Sequence, residues 1–230
     1  MEHSATWISF IPGLNQIPEH MVTSLVVLIL LALAGLTVKR AIEGSPDPLV
    51  PDSRLSFRNI FEIIIEGALG ILKGILEERA THYLPLVGTL FIFILTCNLL
   101  GIIPGFLPPT SNINTNAAMA LIVFILYNYY GFREHGVGYL KQFAGPIVWL
   151  APLMFVIELF SHAFRPFSLS VRLFGNIFGD HMVLSIFADL VPALVPVAFL
   201  ILGMAVAFIQ AFIFAILSAV YIALAVSHEH

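Results

Sequence analysis

SLSVRLFGNIFGDH, residues 168–181, places a permanent positive charge in the middle of a segment that is otherwise apolar. The charge is Arg172, and Asn176, Asp180 and His181 follow it. No acidic residue stands three or four positions from Arg172, and Asp180 is two helical turns away. Because arginine keeps its proton in proteins, a neutralising carboxylate must come from another helix or another chain. The stretch therefore predicts that the positive charge of Arg172 has an electrostatic function inside a membrane helix.

The composition predicts an integral membrane protein. The chain has 230 residues, of which 59% are hydrophobic and only 10% are charged, whereas a soluble domain carries roughly a quarter charged residues. The net charge of −4 and the lack of a basic stripe argue against a nucleic-acid partner. The single cysteine, Cys97, excludes an internal disulfide. The first twenty residues lack a basic start followed by an apolar run, so we expect no cleavable signal peptide.

Long apolar runs predict an all-α, polytopic fold with about five membrane-embedded helices. Three of them are crossings, and the last two form a C-terminal hairpin. Forty residues make about 60 Å of helix, twice the hydrocarbon thickness, so the hairpin helices either break or lie strongly tilted. In chain order, the five runs cover residues 21–38, 83–103, 115–130, 148–189 and 192–226.

Leu55–Glu78 has a different pattern, because charged residues recur at helical spacing opposite an apolar side. We expect one interfacial amphipathic helix, and a surface helix packed on protein is the alternative. Lys and Arg cluster in the loops near 39–58 and 133–141, which predicts a cytoplasmic C-terminus and an outer N-terminus. The whole chain, 1–230, is predicted to be a single membrane domain. It comprises an outer segment (1–20), peripheral crossings with the surface helix (21–145) and the hairpin (146–227).

A row of polar side chains follows one face of the first hairpin helix at steps of three, four and seven. Such a row is costly in lipid unless it faces protein or water. Its first members could equally pair with each other, and the arginine before Pro166 could reach the interface. The row comprises Glu158, His162, Arg165, Arg172, Asn176 and Asp180.

Other polar groups mark two depths on either side of Arg172. Glu158, Ser161 and His162 lie toward the inner side, and His181 can exchange a proton near neutral pH. The amide side chains of Asn98, Asn114 and Gln210 could each form an ordinary interhelical hydrogen bond, but together they mark polar positions toward the outer side. Gly175 and Gly179 have the G-x-x-x-G spacing that lets a partner helix approach closely. The outer amides off this helix are Asn98, Asn114 and Gln210.

Four motifs resemble subunit a of the bacterial F-type ATP synthase membrane sector. They are SLSVRLFGN (168–176), IQAFIFAILSAVYIALA (209–225), CNLLGIIPGF (97–106) and NINTNAAMAL (112–121). The resemblance extends from about residue 20 to the C-terminus. It implies a stator subunit whose tilted hairpin faces a rotating c-subunit ring and forms two proton half-channels. It also implies a b-subunit peripheral stalk, other ATP synthase subunits and the lipid bilayer as partners. The expected location is the bacterial inner membrane.

The resemblance also implies roles for individual residues. Arg172 is the essential charge facing the c-ring carboxylate, and Gln210 faces it from the last helix. Glu158 occupies the family's acidic position on the inner side, and from the residues themselves we expect Ser161 and His162 to share the inner path with it. For the outer path, the resemblance supports Asn98, Asn114, Asn176 and Gln210, and we expect Asp180 and His181 to belong to the same path. The chain itself is expected to catalyse no reaction and to bind no cofactor or metal beyond the translocated proton.

Three positions depart from the family pattern. His181 stands where many bacterial relatives have glutamate, Gly203 where some have histidine, and Gly101 where some have aspartate. The outer relay is therefore expected to depend on His181, with Asp180 and water.

Two other functions compete with this interpretation. A transporter that binds an anionic substrate at Arg172 predicts discontinuous helices and internal repeats, which the sequence does not display. A purely structural scaffold would not need the arginine. The sequence has no nucleotide-binding motif, so any ATP chemistry belongs to other chains.

Overall fold

The described residues of the chain form a helical bundle. A computed structural model describes residues 17–45, 56–103, 106–139, 150–190 and 194–227. Within these ranges the regular structure is helical and there is no strand, which confirms the predicted all-α class. The long helices are α1 (Glu19–Glu43), α2 (Phe57–Leu76), α3 (Ala80–Leu100), α4 (Ile113–His135), α5 (Ala151–Leu190) and α6 (Leu194–Val226).

Four segments are long and apolar enough to cross a membrane, which confirms a polytopic membrane protein. They are Glu19–Glu43, Phe57–Leu100, Ile113–His135 and Val197–Val226. α1 and α4 extend a few residues beyond the predicted runs 21–38 and 115–130 at both ends because polar residues continue the helix, whereas α3 begins and ends three residues before its predicted run 83–103. The predicted outer segment 1–20 lies mostly outside the described residues.

The predicted amphipathic segment forms α2, which begins and ends on identifiable local signals. The Ser56 side chain caps it by accepting from the Asn59 backbone N–H at 3.3 Å. Glu77, with a φ of 50°, ends it before a short 3₁₀ turn leads into α3. Its last turns are packed on protein, since Leu72 and Leu76 are buried, whereas Phe57 at its start is half exposed. The position of α2 relative to the membrane surface stays a prediction.

The core lies where α3, α4, α5 and α6 meet. Each helix contributes a fully buried apolar side chain, namely Ile94, Val123, Leu173 and Ile222. Since lipid is as apolar as these side chains, close packing and interhelical hydrogen bonds hold such helices together. The side of α5 that carries Leu173 is therefore fixed against the bundle.

The first hairpin helix, α5, is one unbroken helix of forty residues that continues through Pro166. Proline removes one backbone hydrogen bond but here does not end the helix. Of the two predicted alternatives, a break does not occur within Ala151–Leu190, and the strong tilt stays a prediction. The predicted interruption between the hairpin helices falls on residues 191–193, outside the described ranges.

Candidate functional site

Arg172 projects from α5 on an exposed, largely apolar face. Leu169 and Leu173 on the same helix are buried, whereas Arg172 is exposed. Among the residues that the structure describes, none forms a hydrogen bond or an ion pair with Arg172. Its large apolar neighbours Val171 and Phe178 are exposed as well. The described part of the chain therefore leaves this charge without a neutralising group.

Open space lies beside Arg172. A Cβ atom added at Gly175 or at Gly179 would meet no other atom within 4 Å. Packing inside the described chain therefore does not require glycine at these two positions. Ser168, one turn before the arginine, is also small and exposed.

A pocket of about 60 Å³ opens between α3, α5 and α6. It brings together three polar residues that the sequence assigned to the outer path, Asn98, Asp180 and Gln210, one from each helix. Gly101 and Gly203, two of the positions that depart from the family pattern, line it too. At Gly101 an added Cβ would lie 2.7 Å from Pro108 Cγ, so Pro108 fills the space that a side chain there would need.

A buried hydrogen-bond network fixes Asn98 in the wall of this pocket. The Thr110 hydroxyl donates to Asn98 Oδ1 at 2.8 Å, and Asn98 Nδ2 donates to the Ala207 carbonyl at 3.4 Å. Asn116 Nδ2 donates to the Thr110 carbonyl at 2.8 Å. The network joins α3, α4 and α6 through the segment between α3 and α4. Sequence reasoning missed Thr110 and Asn116, because neither stands out from its neighbours in a polar turn.

Asn114 and Asn176, two other residues predicted for the outer path, are not among the residues that line the pocket. Asn114 is exposed in the first turn of α4, where its backbone N–H donates to Asn112 Oδ1 at 2.9 Å. Asn176 is half-buried on α5, one turn after Arg172. The backbone of His181 belongs to α5, and its side chain lies outside what the structure describes.

The residues predicted for the inner path form a second polar cluster on α5. Glu158 Oε1 lies 3.6 Å from Arg165 Nη2 and 3.8 Å from His162 Nδ1. The Arg165 guanidinium stacks over the Tyr221 ring of α6, with 5.3 Å between its Cζ and the ring centroid. Glu158 therefore lies near both His162 and Arg165, and the Arg165 guanidinium also packs against α6. Ser161 is exposed and takes no part in these contacts.

Tyr139, which follows α4, completes this inner cluster. Its hydroxyl donates to Asn128 Oδ1 at 3.2 Å and lies 3.2 Å from His162 Nε2. Burial raises the pKa of the Tyr139 phenol, and Glu158 adds to that rise while Arg165 opposes it. The phenol therefore keeps its proton at neutral pH. Neither Tyr139 nor Asn128 was found from sequence, because the fold alone brings them to His162.

The comparison with known proteins decides the family. The model of the family "ATP synthase A chain" matches residues 20–223. The chain belongs to the ATP synthase A chain family. "ATP synthase subunit a" of Bdellovibrio bacteriovorus is 42% identical over 99% of this chain and 100% of the relative. "ATP synthase subunit a" of Citrifermentans bemidjiense is 47% identical over 75% and 76%, respectively. "ATP synthase subunit a 3" of Pelobacter propionicus is 44% identical over 90% and 87%.

Membership of the ATP synthase A chain family confirms the resemblance that the four motifs indicated. The bacterial relatives and the apolar helices together support a bacterial membrane protein. Within the described ranges, no three His, Cys, Asp or Glu side chains are grouped so that they could hold a metal ion.

Proposed function

We propose that this chain is the stator subunit of a rotary ATP synthase membrane sector and conducts protons through two half-channels separated by Arg172. The observation that carries the proposal is the position of Arg172, exposed on α5 between the outer pocket and the inner cluster. Counted along the helix, Glu158 lies about 21 Å to one side of it and Asp180 about 12 Å to the other. An arginine without a partner in the described chain is then the barrier between two polar regions.

The charge of Arg172 calls for an acidic group on another subunit. A cation on an apolar membrane face is costly unless it pairs with an anion or reaches water. A carboxylate on each c subunit of a ring would supply that anion. Gly175 and Gly179, which leave open space beside the arginine, would let a ring helix come close.

The two polar regions give the proton its way in and out. From outside, the proton passes the outer pocket and neutralises a ring carboxylate, which can then face lipid because an uncharged carboxyl is far cheaper to desolvate. After rotation, the carboxyl meets the inner path of Glu158, Ser161 and His162 and releases its proton. One charge moving across 100 mV yields about 2.3 kcal/mol, which drives the rotation. The outer path comprises Asn98, Asn114, Asn176, Asp180, His181 and Gln210.

The proposal includes the arrangement of the chain in its complex. The N-terminus lies outside and the C-terminus in the cytoplasm of the bacterial inner membrane. The hairpin, residues 146–227, faces the c ring, and residues 21–145 face the b-subunit stalk and lipid. ATP is made by other subunits, and this chain carries no cofactor.

Replacing Arg172 with alanine tests the proposal. We expect the assembled complex to lose ATP-driven proton pumping in inverted membrane vesicles, measured with a fluorescent pH dye. Lys39→Ala is the matched control, because Lys39 is a 70% exposed cation that pairs only loosely with Glu43 at 3.8 Å. Pumping in Arg172→Ala vesicles at the Lys39→Ala rate, with equal amounts of complex, would refute the proposal.

A further inference from the structure

The Tyr139 hydroxyl lies between two polar partners in the inner cluster. It is 3.2 Å from Asn128 Oδ1 and 3.2 Å from His162 Nε2. The Tyr139 side chain is almost fully buried, and so is most of His162. The three residues come from α4, from the segment after it and from α5, so only the folded chain brings them together.

The direction of both hydrogen bonds of the Tyr139 hydroxyl, to Asn128 and to His162, is fixed. Asn128 Nδ2 donates to the Phe124 carbonyl at 2.7 Å, which leaves Oδ1 of the amide facing Tyr139. Two oxygens at hydrogen-bond distance need a hydrogen between them, and only the phenol can supply it. Since the phenol has a single proton, its oxygen must accept from His162, so Nε2 of His162 carries the hydrogen. A neutral imidazole carries one N–H, and the basic nitrogen is therefore Nδ1.

Nδ1 of His162 faces the acidic member of the cluster. It lies 3.8 Å from Glu158 Oε1, and the same oxygen is 3.6 Å from Arg165 Nη2. The Tyr127 ring of α4 stands against the imidazole, 5.4 Å between centroids. Among the residues that the structure describes, the titratable or charged groups around His162 are Glu158, Arg165, Tyr127 and Tyr139, with Tyr221 behind Arg165.

We propose that Tyr139 is a positioning residue of the inner half-channel, whose hydroxyl holds His162 in the tautomer that turns its basic nitrogen toward Glu158. The inference rests on the proposed function, because it assigns a task within the inner path. Tyr139 itself takes no proton from the ring carboxylate. It decides which nitrogen of His162 carries the lone pair that can take one.

The proton step that this arrangement allows is simple. Once a side-chain rotation shortens the 3.8 Å separation to hydrogen-bond distance, the O–H bond of a protonated Glu158 carboxyl breaks, and an N–H bond forms at His162 Nδ1. A carboxylate then stands beside an imidazolium, while Nε2–H keeps its bond to Tyr139. His162 Nδ1 is buried, so the imidazolium returns this proton to the Glu158 carboxylate, whose side chain is 39% exposed, and the carboxyl releases it to water at the cytoplasmic side.

The fold provides a fitted place for the tyrosine ring. A Cβ atom added at Gly131 of α4 would lie 2.5 Å from Tyr139 Cε2, so the glycine allows the ring to lie directly on the helix. Phe132 packs edge-on against the same ring, with 4.9 Å between centroids. Phenylalanine at position 139 keeps this packing and removes the hydroxyl alone.

Tyr139→Phe in the whole complex tests the inference. Solid-state nitrogen NMR of histidine-labelled complex reports the tautomer, and the signal that disappears in His162→Gln identifies His162. We expect the wild type to show Nε2–H alone and Tyr139→Phe to show a mixture of both tautomers. Losing one hydrogen bond should slow ATP-driven pumping about three- to tenfold. Tyr129→Phe, the same change at an exposed site of α4, should alter neither readout.

A second variant decides the matter even if Tyr139→Phe fails to assemble. Asn128→Leu removes the acceptor, so the phenol turns its proton toward His162 and the histidine switches to the Nδ1–H form. An unchanged His162 tautomer in either assembled variant would overturn the inference. Arg172→Ala, measured in parallel, distinguishes a failure of the proposed function from a failure of the inference about Tyr139. If it abolishes pumping while the tautomer stays unchanged in Tyr139→Phe, then only the role of Tyr139 is wrong. If it pumps normally, the proposed function fails.

Discussion

The Thr110 hydroxyl donates a 2.8 Å hydrogen bond to Asn98 Oδ1, and both side chains are buried. The two residues are twelve positions apart, one near the end of α3 and the other in the turn that leads to α4. The Asn98 amide also donates to the Ala207 carbonyl of α6 at 3.4 Å. The wall of the pocket between α3, α5 and α6 is therefore held by a side chain that is not part of its lining.

Thr110→Val should destabilise the chain. Valine keeps the shape of threonine but leaves Asn98 Oδ1 buried without its donor, at a cost of about 1–3 kcal/mol. The measurement is the free energy of unfolding of the full chain in detergent, from a denaturant titration. Thr37→Val is the control, because the Thr37 hydroxyl donates to its own helix on an exposed face. If both variants unfold alike, Thr110 contributes no more than a surface threonine.

Gly131→Ala should disturb the inner cluster through packing alone. The new methyl group would lie 2.5 Å from Tyr139 Cε2, so the ring must move, and such overpacking costs about 1–3 kcal/mol. Gly67→Ala on α2 adds the same methyl group where nothing lies within 4 Å, and better helix propensity should leave it as stable or more stable. Equal stability of the two variants would show that the Tyr139 ring is not held against α4.

The positions of the helices could be predicted from sequence because long apolar runs have few other stable states in a membrane. The helix ends follow local signals as well, such as the Ser56 cap of α2 and the Asn112 cap of α4. Gly136, with a φ of 56°, ends α4 in a conformation that glycine adopts without strain. These features depend on neighbours in sequence, and sequence reasoning is reliable for them.

The polar contacts could be predicted only where a single helix carries both partners. Glu158 and His162 are four residues apart, so helical geometry brings them together. The links from Asn98 to Thr110 and from His162 to Tyr139 join separate elements. They depend on how α3, α4 and α5 pack, and polar residues in turns are too common to single them out.

Gly175→Leu should separate folding from assembly. A Cβ atom at position 175 meets nothing within 4 Å and the position is exposed, so the unfolding free energy of the chain alone should not fall. If a partner helix packs against Gly175, co-purification of the c ring should fall at least tenfold, equivalent to about 1.4 kcal/mol. Gly35→Leu on α1 is matched, because position 35 is equally open. Normal recovery of the ring with Gly175→Leu would mean that no partner approaches at this glycine.

His181→Ala should slow proton flux through the outer half-channel. Removing a group that exchanges protons near neutral pH costs about tenfold or more when no substitute is at hand. ATP-driven pumping in vesicles measures the effect, and His82→Ala, which removes an exposed histidine of α3, is the control. An unchanged pumping rate in His181→Ala would remove this residue from the outer relay and leave Asp180 as its remaining ionisable member.

The unbroken course of α5 sets the angular register between the two polar regions. Glu158 and Asp180 are twenty-two residues apart on one helix, which at 100° per residue is six full turns and about 40°. Losing or gaining one residue between them would swing the outer group by about 100° relative to the inner one. The number of residues between Glu158 and Asp180 thus determines how the two polar regions are oriented relative to each other. An insertion or deletion here would misalign them even if every side chain were kept.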